Sequence, residues 1–193
     1  MGNALPKMNL DAFLSWENEQ PERHEFVRGE VFAMVGGRRI HNQLAGNVFA
    51  ALKQQLKGRR CQAFIETAKV LTDEGNLFYP DVFVTCDSAD LKTDYIFRSP
   101  SVIVEVMSPT TQAYDRGLKF TLYRRLASLR EYALIDPETR EVVVFRRGGD
   151  GLFTLHDLTG APAIEFTSIA CVISAEDVFE GIEPEQEPPE PAS

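Results

Sequence analysis

The order of secondary-structure patterns along the chain predicts an α/β (α+β) fold in which a mixed β-sheet is flanked by helices. Two long segments place apolar residues at helical spacing, and runs of β-branched and aromatic residues lie before, between and after them. The chain has 193 residues, of which 44% are hydrophobic, so it can bury a core of its own. We therefore predict one domain over residues 1–182 and a disordered acidic tail, rich in proline and glutamate, over residues 183–193.

The first half of the chain predicts a short helix, a hairpin and a long helix, followed by strands. Asn9 is suited to cap a helix over residues 10–16, and residues 22–35 alternate in polarity around a glycine, which indicates a hairpin. Apolar residues recur at helical spacing over residues 41–57, and Gly58 is suited to end that helix. Strands are predicted over residues 61–65, 69–71 and 77–84.

The second half predicts a loop, a central strand, a second long helix and a final group of strands. Residues 87–97 are polar and indicate the loop. The run over residues 101–107 is the most apolar strand pattern, so we expect it at the centre of the sheet. A helix is predicted over residues 113–129, and Ser174 is suited to cap a short terminal helix. Further strands are predicted over residues 132–135, 141–145, 152–155 and 164–166.

The charge and the hydropathy of the chain restrict its partners. The net charge of −9 argues against broad nonspecific affinity for nucleic acid, although the tail contributes four acidic residues and a metal site would itself be acidic. No apolar run approaches the roughly 18 residues of a membrane span, and residues 1–10 do not resemble a signal peptide. We therefore expect no membrane partner and a cytoplasmic location.

Three cysteines are widely spaced along the chain, at Cys61, Cys86 and Cys171. Their odd number and their spacing match neither a disulfide framework nor a zinc site. We therefore expect them to be buried thiols.

Two apolar strand patterns each contain a single carboxylate. Asp81 lies within residues 79–84, and Glu105 lies within residues 101–107. A charge inside an apolar strand is costly unless a partner compensates it, and a divalent metal ion is a natural shared partner for two carboxylates. Lys119 follows on the next predicted helix. An Asp, a Glu and a Lys in this order are typical of the minimal active site of a metal-dependent phosphodiester hydrolase.

Each of these residues also has an interpretation without catalysis. Asp81 could be a turn or strand-end residue, and Glu105 could face solvent from an edge strand. Asp115, Lys119 and Tyr123 share one face of the predicted helix, so Asp115 and Lys119 could form an ion pair exposed to solvent.

Three further candidates for the site lie earlier in the chain. Glu25 and Glu30 are on the predicted hairpin, where either could supply another acidic group or a second metal ligand, or simply face solvent; of the two, Glu30 is preferred for the site and Glu25 for a structural role. His41 opens the first long helix and could carry a proton or contact a phosphate. Alternatively, His41 is a polar residue at a helix end.

Several motifs together resemble the PD-(D/E)XK nuclease superfamily and, more closely, the Uma-two family of restriction endonucleases. The resemblance covers residues 8–182, nearly all of the chain. The motifs that carry it are His24–Glu30, His41, Tyr79–Val82, Val104–Thr111, Asp115 with Lys119 and Tyr123, and Glu131–Pro137. The resemblance implies a restriction-endonuclease-like core and magnesium-dependent hydrolysis of DNA.

The resemblance also implies roles for individual residues. Asp81 and Glu105 bind the metal ion, the backbone carbonyl of Val106 adds a ligand, and Lys119 assists the attack on the phosphate. In the usual signature the lysine follows the glutamate by two residues, and this sequence has Met107 there. The resemblance implies that the lysine has moved to the following helix.

The sequence therefore predicts an endonuclease that depends on Mg²⁺ (or Mn²⁺), with DNA as its partner and a homodimer as its possible assembly. The alternative is a catalytically inactive nuclease-fold module that binds DNA or a protein, which the acidic net charge and Met107 favour. A third interpretation is a purely structural, dimeric module. Metal binding by Asp81 and Glu105 together distinguishes the enzyme from the other two.

Overall fold

The computed structural model describes residues 7–34 and 36–183. The tail predicted over residues 183–193 lies outside these ranges except for Glu183. No helix within the two ranges is long and apolar enough to span a membrane.

A six-stranded mixed sheet is the larger of the two mixed sheets. Its strands, in spatial order, are β11 (Phe153–Asp157), β10 (Val142–Arg147), β9 (Glu131–Ile135), β8 (Pro100–Val106), β6 (Val82–Thr85) and β3 (Gln62–Ile65). β8 and β9 are parallel, and the other neighbours are antiparallel. Because β8 has a neighbour on each side and is almost entirely buried, the prediction of a central strand over residues 101–107 is confirmed.

A five-stranded mixed sheet and a short two-stranded sheet accompany it. The five strands, in spatial order, are β2 (Glu30–Ala33), β1 (His24–Val27), β5 (Leu77–Phe78), β4 (Lys69–Leu71) and β7 (Ile96–Phe97). The two-stranded sheet consists of β12 (Ala163–Phe166) and β13 (Cys171–Ser174). The predicted hairpin is confirmed as β1 and β2. β13 and β7 were not predicted, and β7 lies within the predicted loop.

The strand predicted over residues 77–84 is in fact two strands in different sheets. The chain leaves the five-stranded sheet after β5 and enters the six-stranded sheet at β6. Pro80 lies between them, and a proline interrupts a strand because it has no backbone N–H to donate to a neighbour. Asp81 therefore lies where the chain passes from one sheet to the other.

The side chains of β8 alternate between the two faces of the large sheet. Val104 packs in the core that α2 (Arg39–Gln55) covers. Ile103 and Met107 pack on the opposite face, with the segment that contains Lys119. Glu105 lies two residues after Ile103 and therefore on the same face of β8, so its side chain points toward the segment that contains Lys119.

The predicted helix starts are close to the observed ones. Asn9 Oδ1 accepts a backbone N–H at 2.9 Å at the start of α1 (Leu10–Glu17). Ser174 Oγ accepts a backbone N–H at 3.0 Å at the start of α5 (Ala175–Val178). α2 begins and ends two residues before the predicted positions.

The second long helix, predicted over residues 113–129, is shorter than predicted and is not a regular α-helix. It consists of α3 (Gln112–Tyr114), a π-turn (Asp115–Lys119) and α4 (Phe120–Tyr123). Leu126 and Leu129 are buried as the pattern requires, but they lie beyond the helix end. Arg147 of β10 donates hydrogen bonds to the carbonyls of both leucines at 2.8 Å, and these bonds stabilise the chain outside the helix.

Cys61 and Cys86 form a disulfide, so the prediction that they are free thiols was wrong. The antiparallel pairing of Gln62 with Thr85 brings the two cysteines together across β3 and β6, although 25 residues separate them in the chain. Cys171 is a buried free thiol, as predicted. Because disulfides are uncommon in the cytoplasm, the predicted location stays a prediction.

Candidate active site

The two predicted carboxylates lie side by side because β6 and β8 are neighbours. Val82 pairs with Val104, so Asp81 lies next to Glu105. Asp81 Oδ2 accepts the backbone N–H of Val106 at 2.7 Å, and the backbone N–H of Asp81 donates to Glu105 Oε2 at 3.4 Å. Glu105 is only 2% exposed and lies on an interior strand, so the edge-strand interpretation is wrong.

Lys119 reaches Glu105 from the π-turn. Its Nζ lies 3.0 Å from Glu105 Oε1, 3.0 Å from Glu25 Oε1 and 3.8 Å from Asp115 Oδ1. Lys119 is 6% exposed and Asp115 is 4% exposed, so the interpretation as a solvent-exposed ion pair is also wrong. The helical lysine thus lies beside the strand glutamate. We call Glu25, Asp81, Glu105 and Asp115, together with Lys119, the acidic cluster.

The hairpin contributes one of its two glutamates to the acidic cluster. Glu25 is buried, and the Tyr114 hydroxyl donates a hydrogen bond to its Oε2 at 3.2 Å. Glu30 is exposed on β2, and its ion pair is with Lys7 at 3.4 Å. The structure therefore places Glu25 in the cluster and Glu30 outside it. The sequence did not predict Tyr114 as a residue of the site. Its position next to Asp115 indicates such a role only when Asp115 is known to be buried.

His41 lies in the first turn of α2 and contacts the acidic cluster through Asp81. Its Nε2 is 3.0 Å from Asp81 Oδ1. The preceding loop approaches the ring closely, since a Cβ on Gly37 would lie 3.0 Å from His41 Cδ2. Burial lowers the pKa of His41, but the hydrogen bond and the charge of Asp81 outweigh burial and raise it.

The charges of the acidic cluster are not balanced within the described residues. Burial raises the pKa of Glu105 well above its usual value, Lys119 lowers it, and Asp81 and Asp115 raise it further. Burial lowers the pKa of Lys119, but Glu105 and Glu25 more than offset this and hold the ammonium protonated. Three carboxylates therefore contact one lysine, with Asp81 beside Glu105 and His41 at the margin, so carboxyl groups outnumber basic groups in the cluster.

Several buried polar atoms at the cluster have no hydrogen-bond partner. At the cluster these atoms are Glu25 Oε1 and Glu105 Oε1, with the Tyr123 hydroxyl beside them; across residues 7–34 and 36–183 Ser128 Oγ, outside the cluster, is the one further such atom. Both glutamate oxygens form ion pairs with Lys119, but without hydrogen-bond geometry. Burial raises the pKa of Tyr123, and so does the charge of Glu105, so its hydroxyl stays protonated. Most buried polar atoms in proteins have a hydrogen-bond partner, so carboxylate oxygens that have only an ion pair could also accept a ligand.

The residues fit a hard divalent cation better than zinc. No group of three His, Cys, Asp or Glu side chains suited to hold a metal ion occurs in the part of the chain that the structure describes. Mg²⁺ does not require such a group, because it binds through one or two carboxylates and retains several waters. Such an ion is suited to the adjacent carboxylates of Asp81 and Glu105, to a Glu105 Oε1 that lacks a hydrogen bond, and to a cluster in which carboxyl groups outnumber basic groups.

Comparisons with known proteins identify the family and the fold of the chain. A family model described as "Uma2: Putative restriction endonuclease" matches residues 10–168. Two proteins from Synechocystis sp. (strain ATCC 27184 / PCC 6803 / Kazusa) are similar in sequence. Uncharacterized protein slr1290 is 31% identical over 92% of this chain and 94% of its own length. Uncharacterized protein sll1609 is 30% identical over 80% of this chain and 90% of its own length.

A solved structure has the same fold. It is the crystal structure of a putative nuclease belonging to DUF820 from Anabaena variabilis ATCC 29413. The match has a TM-score of 0.73 at 19% sequence identity, and it covers 89% of this chain and 97% of that one. This likeness confirms the predicted fold class, a mixed sheet flanked by helices. The family match over residues 10–168 shows that the chain belongs to the Uma2 family, whose model is described as a putative restriction endonuclease.

Proposed function

We propose that this protein is a DNA endonuclease that depends on Mg²⁺ or Mn²⁺. The observation that carries the proposal is the 3.0 Å ion pair between Lys119 Nζ and Glu105 Oε1, next to Asp81. The segment before β6, the strand β8 and the π-turn thus bring together an Asp, a Glu and a Lys, the set that suits metal-dependent phosphodiester hydrolysis. Membership of a family described as putative restriction endonucleases supports the same activity.

Asp81 and Glu105 would hold the metal ion, and the backbone carbonyl of Val106 would add a ligand. The ion supplies two kinds of chemistry when bound, since it lowers the pKa of a coordinated water and offsets charge on the phosphate. Two carboxylates suffice because Mg²⁺ keeps much of its hydration shell.

Lys119 would act on the reacting groups, while Glu25, Asp115 and the neighbouring His41 would hold Lys119 and Asp81 in place. Lys119 orients the attacking water or stabilises the negative charge that develops on the phosphate. Glu25 and Asp115 hold the ammonium beside Glu105 through their ion pairs. His41 holds the carboxylate of Asp81 through its 3.0 Å contact.

A protein that uses this fold to bind DNA or another protein without cutting is the second candidate function. The net charge of −9 favours it, because an acidic surface repels the DNA backbone. The burial of Lys119 also favours it, because an ammonium held by three carboxylates has little freedom to meet a phosphate. Such a protein would shift DNA in a gel without metal and would release no product.

We also propose that the endonuclease is a homodimer, because two sites could then cut both strands of a duplex. Light scattering during size-exclusion chromatography measures the mass directly. A dimer has twice the 21.6 kDa of one chain, and a single species at 21.6 kDa would contradict this part of the proposal.

Cleavage of supercoiled plasmid DNA tests the main proposal. Wild-type protein with Mg²⁺ or Mn²⁺ should produce nicked and linear DNA, and EDTA should prevent it. Asp81→Ala should lose this activity while keeping its circular dichroism spectrum, because Asp81 is only partly buried and lies outside the strands.

Asp94→Ala is the matched control, because it removes an exposed aspartate that lies outside the acidic cluster. It should cut like the wild type. Cleavage that survives in Asp81→Ala would point to a contaminating nuclease or to a different site. Well-folded wild type that cuts neither supercoiled nor linear DNA would favour the second candidate function.

A further inference from the structure

The π-turn that carries Lys119 is an unusual local structure. Its hydrogen bonds join residues five apart rather than four. Such turns are rare in proteins, and those that occur are often found at functional sites. It begins at Asp115 and ends at Lys119, and both side chains are buried in the acidic cluster. The π-turn therefore determines where the ammonium lies relative to Glu105.

One side chain from the large sheet contacts both ends of this π-turn. The Tyr132 hydroxyl donates a hydrogen bond at 3.0 Å to the backbone carbonyl of Asp115, the first residue of the turn. The Tyr132 ring stacks on Phe120, the first residue after the turn, with ring centroids 5.1 Å apart and planes 24° apart. Tyr132 is fully buried, so it touches neither solvent nor DNA.

The position of Tyr132 follows from the register of the sheet. Tyr132 on β9 pairs with Ile103 on the parallel strand β8, two residues before Glu105. Residues of equal parity share a face of a strand, so Ile103 and Glu105 lie on the face against which Tyr132 packs. The same face therefore presents the glutamate to Lys119 and the tyrosine to the turn that carries Lys119.

From these contacts we infer that Tyr132 is a positioning residue for Lys119. It holds the π-turn at the Asp115 carbonyl and at Phe120, and the turn in turn places the Lys119 ammonium between Glu105 and Glu25. This accounts for how a lysine on a helix can serve a site whose usual lysine position holds Met107. The consequence for catalysis rests on the proposed endonuclease function, whereas the consequence for the π-turn does not.

Tyr132→Phe tests the inference because it removes only the hydroxyl. We expect the kcat of plasmid nicking to fall between about 10- and 100-fold, since the ammonium is no longer held in place. The KM for DNA and the affinity for Mn²⁺ should stay within twofold, because Tyr132 contacts neither DNA nor the metal-binding carboxylates. A role confined to core packing would instead lower the melting temperature and leave kcat per Mn²⁺-binding molecule unchanged.

Tyr79→Phe is the matched control. Tyr79 is also buried and its hydroxyl also donates a hydrogen bond, but to Glu17 at 2.9 Å, outside the acidic cluster. It should keep the kcat of the wild type. Phe120→Leu is the second variant, which removes the stacked ring and keeps an apolar side chain, and it should lower kcat in the same way. If Tyr132→Phe does not fold, the kcat of Phe120→Leu tests the inference in its place.

Backbone chemical shifts measured by NMR give a readout that does not need activity. In Tyr132→Phe the shifts of residues 115–120 should move, because the turn loses its bond at Asp115, and in Tyr79→Phe they should not. Unchanged shifts and unchanged kcat in Tyr132→Phe would overturn the inference. Wild type that cuts no DNA, with shifts that do move in Tyr132→Phe, would overturn the proposed function and leave the structural inference standing.

Discussion

Two buried glutamates on neighbouring parallel strands have opposite surroundings. Glu131 on β9 is 1% exposed, and five donors satisfy its carboxylate. They are Arg146 Nε at 3.1 Å, Thr167 N at 3.1 Å, Thr167 Oγ1 at 3.3 Å, Ser168 N at 2.9 Å and Ser168 Oγ. Glu105 on β8 is equally buried but receives one long hydrogen bond, from the backbone of Asp81, and an ion pair with Lys119.

The number of hydrogen-bond donors around each carboxylate distinguishes a structural glutamate, Glu131, from one that is suited to bind a ligand, Glu105. A buried charge is tolerated when donors fill its lone pairs, as they do at Glu131. Glu105 has an oxygen without a hydrogen-bond partner, and its pKa is raised by burial and further by the neighbouring carboxylates. Glu131 should therefore act on stability, and Glu105 on metal binding and cleavage.

Glu105→Gln should have the largest effect, and the effect should be on activity. Removing one of two carboxylates from a metal site forfeits several kcal/mol of transition-state stabilisation, which corresponds to about a thousandfold loss in cleavage rate. The free energy of unfolding should change by about 1 kcal/mol or less, because the variant also relieves repulsion in the acidic cluster. Plasmid cleavage measures the rate, and urea titration measures the free energy of unfolding. A Glu105→Gln protein that is destabilised but still cuts would show that Glu105 is structural, like Glu131.

Glu131→Gln should show the reverse. The variant leaves Arg146 without its buried carboxylate, and the loss of one member of a buried ion pair costs about 3–5 kcal/mol. Urea titration should show this loss, while the cleavage rate per folded molecule stays at the wild-type value. A loss of activity in the folded variant would mean that Glu131 is more than structural.

Reduction of the Cys61–Cys86 disulfide extends the comparison to a second structural feature. The bond closes a loop with a sequence separation of 25 residues, and its loss should lower the free energy of unfolding by about 2–4 kcal/mol. Cys61→Ser with Cys86→Ser avoids the need for reductant in the assay. The double variant should unfold at lower urea and should cut plasmid at the wild-type rate; equal stability of oxidised and reduced protein would argue against the bond.

The two glutamates of the hairpin should differ in their effect on the cleavage rate, by a smaller factor. Glu25→Gln weakens the ion pair that holds Lys119 and should slow cleavage by about tenfold, near 1.4 kcal/mol. Glu30→Gln removes only an exposed ion pair with Lys7, so activity should not change and stability should change by about 0.5 kcal/mol at most. Equal losses in both variants would place the hairpin as a whole, rather than Glu25, at the site.

The parts of the site that depend on local pattern could be predicted from the sequence. A lone glutamate in the most apolar strand indicated that Glu105 needs a partner for its charge. Asp81 was placed within one strand over residues 77–84, whereas it lies after Pro80, where the chain passes between two sheets. The position of Lys119 on the following helix came from the family resemblance. The π-turn itself could not be predicted, because its i, i+4 spacing of Asp115 and Lys119 is the same as in an ordinary helix.

Features that depend on tertiary register were missed. The Cys61–Cys86 disulfide requires the pairing of β3 with β6, which no local pattern encodes. Glu131 also precedes an apolar run, as its sequence Glu131–Ile135 shows, and nothing local distinguishes it from Glu105. The donors that make it structural come from Thr167 and Ser168, 36 and 37 residues away in the chain.

The central claim is that Glu105 binds a metal ion whereas Glu131 is structural. Calorimetric titration with Mn²⁺ tests it most directly, because it measures the affinity for the ion without requiring cleavage. Wild type and folded Glu131→Gln should each bind the ion, and Glu105→Gln should lose that binding. Circular dichroism at the titration temperature verifies that each protein is folded. Binding of Mn²⁺ to Glu105→Gln with the affinity of the wild type would contradict the account.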